Sequence, residues 1–225
     1  MNEKVLPNQE AWFREIKKAG ASADQLGIVR WNSVSFRQRE ARRIFGLREK
    51  LFSEEAAKSL LDDHEHLGVG FEKDNLFEGF RNEAVDFFAF RQIKWHGKNN
   101  APDTSIVASQ VSCVNCLFRF ISFREGLAGW LQQLYPELLE VLPIDSKSET
   151  PLTNGQYPFL SFEWIGEKNY LNEPAGTRGA FQTNADAVLR FLQQDGRIHV
   201  ILVEWKYCES DLGDFDAFHS ACQSE

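Results

Sequence analysis

The feature that most constrains this fold is a pair of apolar segments near residue 200, joined by a short polar turn. Residues 185–191 and 201–206 hold the two segments, and Gln194-Asp195-Gly196-Arg197 lies between them. Turn-forming residues between two such segments predict a β-hairpin. The residues up to Val203 are almost continuously apolar, which predicts a second strand that is buried on both faces.

Charged residues stand at the ends of both predicted strands. Residues two apart in a strand share a face, so Glu204 and Lys206 point the same way, and Asp186 on the partner strand could reach the same spot. Two carboxylates can hold a hard divalent cation through oxygen. A lysine beside them can orient water or offset charge on a phosphate. The arrangement suits metal-dependent phosphodiester hydrolysis, and a simple Glu204–Lys206 ion pair at a strand end is the alternative.

Short blocks of sequence accompany these residues in a particular order between about residues 105 and 210. They are Ser109-Gln110-Val111 with Asn115, Phe162-Glu163-Trp164-Ile165-Gly166, Tyr170-Leu171-Asn172-Glu173, Arg178-Gly179-Ala180, Thr183-Asn184-Ala185-Asp186-Ala187 and Glu204-Trp205-Lys206-Tyr207. Together they resemble the PD-(D/E)XK nuclease superfamily and, within it, a bacterial restriction-endonuclease-like family. The sequence departs from the superfamily pattern at Ala185, where a proline usually precedes the aspartate.

The resemblance implies a fold, a reaction and a site. The implied fold is α/β (α+β), with a restriction-endonuclease-like core, a small mixed β-sheet flanked by helices, and a helical N-terminal region. The implied reaction is hydrolysis of DNA by water, with Asp186 and Glu204 as ligands of Mg²⁺ (or Mn²⁺) and Lys206 as the catalytic lysine. A catalytically inactive nuclease-fold protein that binds nucleic acid or protein is one alternative. A helical interaction module with an incidental hairpin is another.

Five further polar residues are candidates for this site. Glu163 is a possible third acidic metal ligand, and a solvent-facing strand residue is the alternative. Glu173 could contribute a carboxylate, or belong to a loop. Gln110 could lie near the metal, or serve as a buried amide. Arg178 and Asn184 could hold a phosphate, or organise the turn before the strand.

The order of elements suggests two regions, which could also form one continuous domain. Residues 1–100 are predicted to be a helical N-terminal region, with helices at about 8–20, 33–51, 53–63 and 76–90. Residues 101–225 are predicted to be the PD-(D/E)XK nuclease-like core, with helices at about 105–120 and 125–141, a strand within 157–165, and the hairpin. Residues 207–225 leave room for a short helix but hardly for the superfamily's final strand. Another subunit could then complete the sheet, so a homodimer is possible.

Charge and cysteine usage limit the possible partners. The net charge of −8 argues against a nucleic-acid binder, although residues 36–50 hold six basic side chains against two acidic ones. That segment is either a solvated helix face or a contact for phosphates. The Cys113-x-x-Cys116 pair could bind zinc or act in redox chemistry, but its apolar surroundings favour a buried helix. No apolar run is long enough to span a membrane, and the N-terminal residues lack the apolar region of a secretory signal. A cytoplasmic protein is therefore expected.

Overall fold

The computed structural model describes residues 36–60, 65–145, 149–166, 178 and 183–208. The chain divides into two compact units, Met1–Arg39 and Glu40–Glu225. The predicted helices at 8–20 and near the C-terminus lie outside the described residues. The proposed division at residue 100 stays a prediction, and residues on both sides of that position share one hydrophobic core.

Short helices of both the α and 3-10 types make up most of the described residues before the sheet. The α-helices are α1 (Phe36–Gly46), α2 (Arg48–Leu51), α3 (Glu54–Ser59), α4 (Arg81–Phe90), α5 (Ser109–Leu117) and α6 (Arg124–Leu131). Segments of 3-10 helix span Glu72–Asn75, Glu78–Phe80, Lys98–Asn100 and Phe118–Ile121. Ser53 caps α3, because its hydroxyl accepts a hydrogen bond of 3.2 Å from the Ala56 N–H.

The sheet is built around β3, the first strand of the predicted hairpin. The strands are β1 (Leu138–Leu142), β2 (Leu160–Trp164), β3 (Ala185–Gln193) and β4 (Ile198–Val203). β4 pairs along one edge of β3, while β2 and then β1 pair along its other edge. The α/β fold with a small sheet and flanking helices is therefore confirmed. The mixed sheet expected from the resemblance is, in its described strands, wholly antiparallel.

The hairpin turn has the chemistry that its sequence predicts. The Asp195 carboxylate accepts a hydrogen bond of 3.0 Å from the Arg197 N–H. Gly196 has a φ of +82°, a conformation that side-chain-bearing residues rarely adopt. The Gln193 N–H donates to the Arg197 carbonyl at 2.9 Å, which closes the turn.

The predicted helix over 125–141 is wrong in its second half. α6 ends at Leu131, and Leu138–Leu142 form β1 instead. Pro136 explains the difference, because proline has no N–H to donate and its ring clashes with the preceding helical turn. Beyond it, Val141 pairs with Phe191 of β3, so the ladder supplies the backbone hydrogen bonds.

The prediction that the second hairpin strand is buried on both faces is also wrong. Ile198, Val200 and Leu202 are each more than half exposed, while Ile201 and Val203 pack against the core. An apolar run in the sequence therefore does not show by itself that both faces of a strand are buried. Among the described residues, only one face of β4 packs against the core.

An aromatic core joins the helices to one face of the sheet. Phe162 of β2 packs edge-on against Phe87 of α4 and lies parallel to Phe118. Phe88 stacks on Trp95 with ring centroids 3.9 Å apart. Burying each such side chain contributes about 1.5 to 3 kcal/mol. Among the described residues, no helix is long and apolar enough to cross a membrane.

Candidate active site

The sheet brings two of the predicted acidic residues face to face. Phe162 pairs with Ala187 and Trp164 pairs with Ala185, so Glu163 on β2 lies across from Asp186 on β3. The antiparallel register of β2 and β3 makes them neighbours.

Glu163 is a buried carboxylate surrounded by polar groups. Its residue is 1% exposed. Gln110 Nε2 donates to its Oε1 at 2.8 Å, and Asn184 Nδ2 donates to its Oε2. His96 Nε2 lies 3.6 Å from the same Oε1. The alternative of a solvent-facing strand residue is therefore wrong for Glu163.

The electrostatics of Glu163 favour a cation beside it. Burial raises the pKa of this carboxyl, and the negative charge of Asp186 raises that pKa further. The hydrogen bonds from Gln110 and Asn184, and the imidazole of His96, act in the opposite direction. Two close carboxylates in a partly buried place disfavour each other's ionisation, and a divalent cation would remove that penalty.

The end of β4 is joined to Asp186 through the main chain. The Trp205 N–H donates to Asp186 Oδ2 at 2.5 Å. Glu204 and Lys206 flank Trp205, and their side chains form an ion pair with 3.1 Å between Oε1 and Nζ. The Glu204 side chain is 62% exposed and the Lys206 side chain is 59% exposed. The predicted shared direction of Glu204 and Lys206 is confirmed, and so is the ion pair between them.

Helix α5 holds both halves of this site. Gln110 bonds to Glu163, and two serines of the same helix hold the segment after β4. Ser112 Oγ lies 3.3 Å from Trp205 Nε1, and Ser109 Oγ accepts the Tyr207 N–H at 3.2 Å. One helix therefore sets the distance between the acidic pair and the Lys206 segment.

The Cys113-x-x-Cys116 pair lies on α5, as the buried-helix interpretation predicts. Cys113 is buried and Cys116 is exposed. Burial raises the pKa of the Cys113 thiol, and the charges of Asp186 and Glu163 raise it further. A thiol that stays protonated is a poor metal ligand and a poor nucleophile.

Arg178 faces the inside of the protein. Its Nε donates to the Glu163 carbonyl at 3.2 Å, and its Nη2 donates to Ser161 Oγ at 2.7 Å and to the Phe162 carbonyl. The Arg178 side chain is 8% exposed and bound to these groups, which argues against a phosphate contact. The turn-organising alternative stays a prediction. Asn184 likewise directs its amide to Glu163. Glu173 lies outside the described residues.

Two residues near this site, His96 and Glu149, were not predicted from the sequence. His96 follows a buried segment and is held by a hydrogen bond of 2.8 Å from its N–H to Gln110 Oε1. Glu149 lies in the polar loop between β1 and β2, and its side chain is fully buried. No local pattern marked either residue, because their partners are distant in the chain.

The acidic pair suits a hard divalent cation. In the part of the chain that the structure describes, no three His, Cys, Asp or Glu side chains form a group that could hold a metal. Mg²⁺ is usually held by only one or two carboxylates and keeps several water molecules or substrate oxygens. Glu163 and Asp186 match that donor set, and the like-charge interaction between them is an observation that a cation explains.

Comparison with known proteins supplies a family. A family model described as Restriction Endonuclease associating with ARP matches residues 39–224. No curated protein matches the chain. No solved structure matches it either.

Proposed function

Since this chain belongs to the family described as Restriction Endonuclease associating with ARP, we propose that it is a Mg²⁺-dependent nuclease that hydrolyses DNA. We propose further that its site is of the PD-(D/E)XK type. The observation that carries the proposal is the link between the acidic pair and the acid-x-Lys segment. The Trp205 N–H binds Asp186 Oδ2, and the ion-paired Glu204 and Lys206 lie on either side of Trp205.

The acidic residues have the role of metal ligands in this proposal. Asp186, Glu163 and Glu204 would be the residues that hold Mg²⁺ (or Mn²⁺). Bound Mg²⁺ lowers the pKa of its water and offsets charge on the phosphate. Gln110 and Asn184 orient the Glu163 carboxylate through its two oxygens.

Lys206 supplies a mobile positive charge. The Lys206 side chain is 59% exposed, so its ammonium can move from Glu204 toward a bound phosphate. There it orients the attacking water or stabilises the extra charge on the phosphate in the transition state. Glu204 would then be free to act as a ligand of the cation. The ion pair is then a resting arrangement of two functional groups.

The test is cleavage of supercoiled plasmid in Mg²⁺ or Mn²⁺, with EDTA as the metal-free control. Lys206→Ala should lose nicking by about 100-fold or more, as removal of a charge-stabilising group typically does. Lys58→Ala is the matched control, because Lys58 also pairs with an exposed glutamate, Glu54, on a different element. Full activity of Lys206→Ala would overturn the assignment of the site.

A catalytically inactive nuclease fold that binds a partner is the second candidate. The absence of a three-ligand metal group in the described residues, and the pairing of Lys206 with Glu204, favour it. The family is described as associating with ARP, which fits a binding role. This candidate expects no thermal shift with Mg²⁺, whereas a cation that binds only the native protein raises its unfolding temperature. Homodimer formation and a cytoplasmic location stay predictions.

A further inference from the structure

A buried charged cluster lies beside the candidate site and takes no part in the proposed chemistry. We name Arg91, Glu149, Ser161 and Arg178 the Glu149 cluster. The side chain of Glu149 is 0% exposed, and those of Arg91 and Arg178 are 3% and 8% exposed. Three distant parts of the chain therefore meet at one carboxylate.

Both oxygens of Glu149 are engaged. Arg91 Nε donates to Oε1 at 2.6 Å, and the Thr150 N–H donates to the same oxygen at 2.9 Å. Arg178 Nη1 donates to Oε2 at 3.3 Å, and the Ser161 hydroxyl donates to that oxygen too. The carboxylate is fully satisfied, which is the condition under which a buried charge is tolerated.

The charge balance of the cluster depends on Glu149. Burial lowers the pKa of Arg91, and its hydrogen bond to Glu149 opposes that effect. Removing one partner of a buried ion pair leaves an uncompensated charge, which strongly destabilises the fold. Without Glu149, the Arg178 guanidinium would have to find another partner or move toward water.

Arg178 in turn holds the backbone of Glu163. Glu163 has a φ of +48°, a left-handed conformation that is unfavourable for a non-glycine residue. Arg178 bonds to the carbonyls of Phe162 and Glu163, on both sides of that distortion. The Arg178 carbonyl also accepts the Lys94 N–H at 2.9 Å, which ties in the segment that carries His96.

We propose that Glu149 is a positioning residue: through Arg178 it keeps the left-handed backbone of Glu163, and so aims the Glu163 carboxylate at Asp186. The inference rests on the proposed function for its metal, but its structural part concerns Glu163 alone. Glu149 does not touch the reacting atoms. Its effect passes through Arg178 to the metal-binding carboxylate.

The test compares Glu149→Gln with two controls. Asp145→Asn removes a carboxylate that pairs with Arg190 on the same sheet, with no bond to Glu163 among the described contacts. Leu131→Ala, a fully buried core change on α6, controls for general loss of stability. The readouts are Mn²⁺ affinity by calorimetry, with Mn²⁺ alone as probe, and the backbone amide NMR signals of residues 94–96 and 162–164.

Glu149→Gln should weaken Mn²⁺ binding about 10- to 100-fold, as loss of a group that orients a metal ligand does. The amide signals of 94–96 and 162–164 should shift in this variant. Both controls should keep wild-type Mn²⁺ affinity and wild-type signals in these two segments. If wild-type protein binds Mn²⁺ and Glu149→Gln binds it equally, with those signals unmoved, the inference is overturned while the proposed function stands.

The two hypotheses can fail separately. If wild-type protein binds no Mn²⁺, the proposed metal-dependent function fails, and the amide signals alone decide whether Glu149 positions Glu163. If Glu149→Gln proves too unstable, Glu149→Asp keeps the charge but shortens the side chain. It should give a smaller shift of the same amide signals, and unmoved signals would count against the positioning role.

Discussion

Gln110 Nε2 donates a 2.8 Å hydrogen bond to Glu163 Oε1, which joins α5 to β2 across 53 residues of sequence. The same amide group donates to the Lys94 carbonyl at 3.1 Å, and its oxygen accepts the His96 N–H at 2.8 Å. Through these three hydrogen bonds, Gln110 connects helix α5 to strand β2 and to the segment 94–96. The interpretation of Gln110 as a buried amide and its interpretation as a residue near the metal are compatible.

Gln110→Met should destabilise the protein by about 2 to 3 kcal/mol, because it removes a donor from a buried carboxylate. The side chains have similar volume, so packing changes little. The measurement is the free energy of unfolding in urea. Gln133→Met, at an exposed position after α6, should change it by less than about 0.5 kcal/mol. Equal effects of the two changes would contradict the role of Gln110.

Asp186→Asn should separate metal binding from folding. An asparagine oxygen can still accept the Trp205 N–H, so the free energy of unfolding should change by less than about 1 kcal/mol. Loss of the charge should weaken Mn²⁺ binding about tenfold or more, equivalent to about 1.4 kcal/mol. Calorimetry with Mn²⁺ measures the affinity.

The matched control for this change is Asp103→Asn. Asp103 also accepts a main-chain N–H, that of Ser105, at 2.7 Å. This variant should keep wild-type affinity for Mn²⁺. Unchanged affinity in Asp186→Asn would remove Asp186 from the proposed metal ligands.

Tyr207→Phe should change the pH dependence of stability. Burial raises the pKa of the Tyr207 hydroxyl above its usual 10.0, and its hydrogen bond to Glu40 Oε2 acts in the same direction. The folded protein therefore holds this proton more tightly than the unfolded chain. The resulting stability is present below about pH 10 and is lost as the pH rises through the folded pKa.

The variant lacks this titration, so it should lose less stability than the wild type between about pH 9 and pH 11. Below that range it should be weaker by about 0.5 to 1.5 kcal/mol, the typical contribution of one hydrogen bond. Urea unfolding at several pH values measures both effects. If the free energy of unfolding falls equally with rising pH in the variant and in the wild type, the prediction is wrong.

The two faces of the hairpin should respond differently to substitution. Val200 is 55% exposed, so Val200→Thr should change the free energy of unfolding by no more than about 0.5 kcal/mol. Leu189 on β3 is 1% exposed, and Leu189→Ala should cost about 2 to 5 kcal/mol. Urea denaturation measures both. A cost above about 2 kcal/mol for Val200→Thr would show that its face is covered.

Local sequence patterns predicted the elements with strong local signals. The hairpin with its Asp195-Gly196 turn, the strand around Phe162 and the helix carrying Cys113 are all present. Turn chemistry and hydrophobic periodicity act over a few residues, so they can be read without the partner. The predicted helix across Pro136 failed because the apolar leucines around it suit either a helix or a strand, and proline decides against the helix.

The sequence by itself determined the hairpin and the shared direction of Glu204 and Lys206, because turn chemistry and the two-residue period of an extended chain act over a few residues. Only the tertiary structure decided that Gln110 and His96 surround Glu163, and that Glu149 lies buried between two arginines. Those contacts join residues far apart in the chain. Their geometry depends on how α5 packs on the sheet and on the antiparallel register of β2 and β3, and neither is encoded in a local pattern.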